Sequence, residues 1–293
     1  MPRLHEHPRA GGGGLTRSAL RSWYEPRRAA FPWRADPHPY GVLVSEVMLQ
    51  QTQVSRVVPA YLRFLEQFPT PVALAASPPA EVLRAWKGLG YNRRAASLWR
   101  AAGVIVAEHG GVVPPDPAEL AKLPGVGPYT ASAVASFAYG AAIPALDTNV
   151  RRVVARHRLG TSTPSQAEVL RAATAWIDRA DPAGWNAAVM DLGREVCRPE
   201  PLCAACPLHR GCRFRAAPRE KDGPGRSASP FEGSMRQLRG RIVDAVREAP
   251  TVTVPDVAAR WSEPEERVAA AVAALASEGL VRAGPGGRIR LGT

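Results

Sequence analysis

Four cysteines, Cys197, Cys203, Cys206 and Cys212, are the only thiols in 293 residues, and all lie within CRPEPLCAACPLHRGC. A disulfide framework spreads its cysteines along the chain to tie distant loops together, and it belongs to secreted proteins. The N-terminal MPRLHEHPRAGGGG has no apolar core of an export signal, so a cytoplasmic protein is expected. Clustered thiols then point to a metal site. The intervening stretches are of five, two and five residues. Tetrahedral zinc usually takes two short pairs, and here only Cys203 and Cys206 form one. Single cysteines to either side suit a cubane better, with one thiolate at each iron corner. The spacing favours an iron–sulfur cluster, with zinc as the alternative.

A second chemical signal is LPGVGPYT, Leu123 to Thr130. Gly125, Val126 and Gly127 form a tight turn just before a helix start, where backbone amides can hold a phosphate without side-chain charge. An ordinary helical hairpin turn has the same look. About twenty residues on, ALDTNVRRV brings Asp147, which by itself reads as the N-cap of TNVRRV.

These groups need elements to position them. From Leu15 onward the apolar spacing is helical, as in VLVSEVMLQQTQVSRVVPAYLRFLEQF, with Val44, Val47, Met48, Val54 and Val58 at helical steps. DPAELAKL opens a helix with Asp116 as N-cap, Pro117 first and Glu119 completing a capping box. No run of alternating strands precedes residue 215, so the chain reads as mainly α. Residues 1–14 read as a disordered tail, 15–214 as a helical core with the cysteine loop at 197–212, and 215–233 as a linker. Residues 234–293 carry three helical stretches and two short strands around GPGG, the pattern of a small winged helix. The hydrophobic fraction is 45%, and no apolar run is long enough to cross a membrane as a helix. The net charge of +12 suits a polyanion, although arginine-rich composition alone also produces it.

LPGVGPYT followed by LDTNVRRV resembles the helix–hairpin–helix DNA glycosylases, and the spaced cysteines resemble that superfamily's 4Fe-4S loop. VSEVMLQQTQV and FPWR are similar to the MutY-type adenine DNA glycosylases within it, over roughly residues 16 to 214. The resemblance implies a two-lobed helical fold, a 4Fe-4S cluster on the four cysteines, and mismatched double-stranded DNA as partner of a monomer. It implies that a flipped adenine, opposite 8-oxoguanine or guanine, is protonated by Glu46 as general acid. Apolar neighbours of Glu46 would favour its protonated form; without the resemblance it reads as a solvated helix acid. Asp147 then stabilises the sugar cation, in parallel with the carboxyl pair of glycoside hydrolysis.

Tyr129 stands where the superfamily's lyases carry a Schiff-base lysine, so a monofunctional enzyme is implied. Its hydroxyl and Asn149 would orient Asp147, with a core tyrosine as the competing reading. Gln51, with Thr52 beside it, and Tyr91 correspond to residues that enter the base stack; each also fits an ordinary surface position. Trp33 and Arg34 would line the base pocket. Arg93, Arg94, Arg151 and Arg152 are candidates for phosphate contact, or for a solvated helix face.

Three departures stand out. The first cysteine interval is one residue shorter than usual, Ala187 replaces a common Gln or Glu near the adenine, and residues 234–293 are too few for the usual Nudix-like domain. Two other functions fit less well: a related glycosylase removing thymine or another base, and a non-enzymatic iron–sulfur DNA-binding regulator. Lesion discrimination is expected from the core. The C-terminal segment fits a DNA-binding or a protein-interaction module equally, and if it binds DNA it should add mostly salt-sensitive phosphate contact.

Overall fold

A computed structural model describes residues 12–216 and 231–292. Most of the expected tail and linker therefore lie outside the described residues. Two of the described edges are helical: one helix begins at Gly12 and another, Arg213–Ala216, runs into the expected linker, whereas residues 231–233 at its far end form a turn. The chain forms two compact units, each assembled from separate stretches of sequence.

One unit contains the described residues through Pro37 and those from Pro128 to 216. Its core joins Leu20 and Tyr24 of helix Gly12–Tyr24 to Val150, Val153 and Val154 of helix Thr148–Val154. Trp176 closes helix Gln166–Trp176 and meets Trp185 of helix Pro182–Glu195 edge to face, with centroids 5.4 Å apart. Local signals set the helix starts. Ser165 and Glu168 form a reciprocal capping box, and Asp181 accepts from the Gly184 N–H. Beyond Val154 the helix widens into a π turn, Ala155–Leu159, a distortion common at functional sites.

The other unit contains His38–Gly127 and the described residues from Phe231 onward. At its centre is helix Pro39–Leu49, in which every residue from Tyr40 to Met48 is buried, as its predominantly apolar sequence favours, with Ser45 and Glu46 the polar exceptions. Helices Val54–Gln67 and Arg93–His109 pack against it, and Gly110, at φ +60°, ends the latter. Asp116 caps helix Pro117–Leu120 as expected, but Glu119 pairs with Lys122 at 2.7 Å instead of closing a capping box.

The C-terminal part has helices Met235–Glu248, Val254–Trp261 and Glu265–Ser277. Its sheet has three antiparallel strands among the described residues: β1 (Val252–Thr253), β2 (Val281–Gly284) and β3 (Arg288–Leu291), in the order β1-β3-β2. β1 was not apparent in the sequence because two residues are too short to show alternation. It pairs Val252 with Ile289. Leu238, Ile242, Val246, Val268, Leu275 and Ile289 fill the small core. Among the described residues no helix is long and apolar enough to cross a membrane.

Candidate active site and cysteine loop

Asp147 is the N-cap of helix Thr148–Val154. Its Oδ1 accepts the Val150 N–H at 2.6 Å and its Oδ2 accepts Asn149 Nδ2 at 2.9 Å. Burial pushes its carboxyl above the ordinary aspartate range, while these donors and the Arg152 charge pull the other way. The charged form is thus held by directed bonds in a place that disfavours charge. Tyr129, half-buried, lies in the first turn of helix Pro128–Tyr139.

The support behind Asp147 continues inward. Asn149 Oδ1 accepts from Arg152 Nη2 at 2.7 Å, and Arg152 also donates to the carbonyls of Gly193 (2.8 Å) and Cys197 (2.6 Å). Gly193 is needed here, because a Cβ on it would fall 2.6 Å from Asn149 Cβ. Asn186, fully buried, donates to Ser136 Oγ and the carbonyls of Ile143 and Pro182, and accepts the Ala145 N–H. It fixes the chain leading into Asp147. Sequence reasoning missed Asn186 and left Arg152 between phosphate contact and a solvated helix face; most of their partners lie more than forty positions away, which spacing cannot reveal. Ala187, its neighbour, is a core residue.

All four cysteines line one concavity of about 350 Å³, shared with Arg156, Pro201, Leu202, His209 and Phe214. Arg156, carried inward by the π turn, donates to the carbonyls of Arg198 (2.6 Å) and Pro199 (3.0 Å) and lies 3.9 Å from Cys197 Sγ. Burial pushes the Cys206 thiol up to about 11 and raises that of Cys197. Among the described residues no three Cys, His, Asp or Glu side chains converge closely enough for one metal ion. Four thiols around one concavity are a donor set that suits a metal group. Arg34, expected beside a base, forks onto Asp191 at 2.7 and 3.1 Å, and Trp33 is buried against Phe31.

In the other unit Glu46 lies in the middle of the buried helix, 5% exposed. Gln51 and Tyr91 are exposed and have left-handed backbone, at φ +56° and +45°. Among the described residues only Ser262 joins them as a non-glycine with positive φ. Such conformations persist only where the surroundings enforce them.

Arg94 does the enforcing. Its Nη1 donates to the carbonyls of Val47, Met48 and Gln50, capping the helix that carries Glu46. Its Nη2 donates to Thr52 Oγ1 and to the carbonyls of Leu89 and Gly90, just before Tyr91. Thr52 Oγ1 also donates to the Leu89 carbonyl at 3.2 Å. One guanidinium therefore brings Gln51, Thr52 and Tyr91 into one assembly; the phosphate role considered for Arg94 gives way to this internal one. In the glycine turn Gly125 has φ +80°, and a Cβ on it would fall 2.6 Å from Ser97 Cβ. Gly125 and Gly127 are exposed, whereas Val126 is buried and its N–H donates to Leu123 within the turn.

A glycine turn leading into a helix, a capped aspartate beyond it and a cysteine loop define a class of DNA repair enzyme. Residues 44–179 match the family model described as HhH-GPD superfamily base excision DNA repair protein. The chain is 43% identical to an adenine DNA glycosylase of Mycolicibacterium smegmatis, over 93% of this chain and 94% of that one. It is 39% identical to one of Mycobacterium tuberculosis over 99% and 98%, and 41% identical to the human one over 68% of this chain and 39% of that one. Among solved structures it is similar to a thermostable thymine-DNA glycosylase (TM-score 0.64, 28% identity, 68% of this chain and 94% of that one). An endonuclease III trapped in a covalent complex with DNA is similar at a TM-score of 0.59 and 28% identity, over 70% and 97%. The chain belongs to the adenine DNA glycosylases of the HhH-GPD superfamily.

Proposed function

We propose that this protein is a monofunctional base-excision-repair glycosylase that removes adenine opposite 8-oxoguanine or guanine in double-stranded DNA. The observation that carries the reading is 43% identity to an adenine DNA glycosylase across 93% of the chain. The geometry of Asp147, a carboxylate fixed by two donors, supports it.

In this reading the adenine is flipped out of the stack, and Glu46 donates a proton to its N7. The electron pair of the bond between the sugar C1′ and N9 leaves with the base. Asp147 balances the positive charge that develops on the sugar, and water supplies the hydroxyl that ends on C1′, its remaining proton returning to the Glu46 carboxylate. Tyr129 has no amine to attack C1′, so the strand stays whole. Gln51, Thr52 and Tyr91 hold the opposite base, while Gly125 and Gly127 face a phosphate. Cys197, Cys203, Cys206 and Cys212 would hold a 4Fe-4S cluster, which supplies a structural tie for the loop and takes no part in base release.

Incubation with a labelled duplex containing adenine opposite 8-oxoguanine tests this directly. Adenine release is expected, with strand cleavage only after hot alkali. Cleavage without alkali would overturn the monofunctional assignment. Release of thymine from a T:G duplex, and no adenine release, would favour the thymine-removing reading that the likeness to a thymine-DNA glycosylase raises. Glu46→Gln should abolish release while duplex binding persists; near-normal turnover would show that the acid is another residue. Protein purified without oxygen should be brown with about four irons per chain, and stoichiometric zinc would refute the cluster.

A further inference from the structure

The C-terminal part of the chain touches the Tyr91 loop through one buried side chain. Arg247, in the last turn of helix Met235–Glu248, is only 5% exposed and pairs with Asp244 at 2.6 Å. Its Nε and Nη2 both donate to the carbonyl of Leu83, at 3.0 and 2.8 Å. Leu83 lies near the end of helix Pro79–Ala85, where carbonyls lack helical partners. The same Nη2 donates to Asn92 Oδ1 at 2.7 Å.

Asn92 is the N-cap residue of helix Arg93–His109, yet its side chain makes no capping bond there. Asparagine at that position normally satisfies the first turn of its own helix. Here its oxygen faces a guanidinium from the C-terminal domain instead. The preceding residue is Tyr91, exposed and left-handed. Arg94 secures the loop from one side and Arg247 from the other. The domain's seat is fixed a second time at Gly292, where a Cβ would come within 2.9 Å of the Ala80 nitrogen.

We infer that the C-terminal domain takes part in reading the base opposite the adenine, with Arg247 as a positioning residue that locks Asn92 and, through it, the backbone of Tyr91. This rests on the reading of Tyr91 as a residue that enters the stack. It departs from the expectation that discrimination comes from the core without this domain. A departure from local capping preference has a cost, and such departures concentrate where a site needs a particular geometry.

The test uses the full chain with Arg247→Gln and Asn92→Ala, singly and combined. Single-turnover adenine release opposite 8-oxoguanine is compared with release opposite guanine, alongside hydrogen exchange of a peptide covering residues 87–93 without DNA. Each variant should lower the 8-oxoguanine:guanine rate ratio about ten-fold or more and deprotect the peptide, with the unfolding midpoint little changed. The double variant should be no worse than either single one, because both break the same link. A ratio unchanged by Asn92→Ala would overturn the inference, even if Arg247→Gln misfolds. Equal weakening of both duplexes, steeply dependent on salt, would also overturn it, since that marks phosphate binding. If the unaltered enzyme releases no adenine from either duplex, the functional reading has failed. Loop protection alone then decides whether Arg247 holds Tyr91.

Discussion

Asp147 and Tyr91 are held by opposite means. Asp147 has its atoms fixed: each carboxylate oxygen has a donor, and the backbone does only what an N-cap ordinarily does. Tyr91 has its backbone fixed, by carbonyl bonds to Arg94 on the residues before it, while its ring is left exposed. The difference follows from the task proposed for each. Stabilising a developing charge requires an oxygen at a defined place, so preorganisation must reach the last atom. A side chain that pushes between bases needs a rigid mount and freedom at its tip. The carboxylate is accordingly part-buried behind several layers of support, and the tyrosine stands on a strained turn.

The comparison is broken most severely at Asp147. Asparagine caps helices as well as aspartate, so Asp147→Asn should fold normally. Single-turnover release should nevertheless fall by about a thousand-fold, because a neutral amide cannot balance a sugar cation. Unchanged thermal unfolding with a lost rate is the expected signature, and a large loss of stability would show that the residue is structural first. Arg94→Met makes the reverse case. It strands carbonyls of two loops, and should cost about 3 kcal/mol or more in denaturant unfolding, with Gln51 and Tyr91 free to relax. Retained stability would mean that the left-handed turns do not depend on the guanidinium.

The smallest effect sharpens the carboxylate side. Burial raises the Asp147 pKa, and protonation removes the working charge. The rate should therefore fall, as pH drops, at a higher pH than an ordinary aspartate would give. Asn149→Ala removes a donor to the ionised form. Its acid limb should move further up in pH, with a loss of less than about ten-fold at neutral pH. A pH–rate profile that does not move would detach Asn149 from the aspartate.

Much of this was legible because the signals are local. The cysteine intervals, the glycine turn and the Asp-Thr-Asn start of a helix each sit within a few residues, and the helical period of residues 44–58 needed only a window. What escaped was long-range. Arg94, Arg152 and Arg247 look like any surface arginine in an arginine-rich chain, yet each reaches carbonyls tens of positions away. The left-handed turns at Gln51 and Tyr91 were invisible for a related reason: neither is a residue that prefers that conformation. Exposed polar and aromatic side chains in such a turn carry no local mark of strain.

The two-unit division has a consequence for synthesis. Helix Gly12–Tyr24 belongs with residues beyond Pro128, and the helices after Phe231 belong with His38–Gly127. Neither unit can finish folding when its first stretch leaves the ribosome, because part of its core has yet to be translated. Contacts this distant in sequence slow folding and lengthen the exposure of apolar surface. Helix Pro39–Leu49, buried from Tyr40 to Met48 in the finished fold, is a stretch left uncovered during that wait.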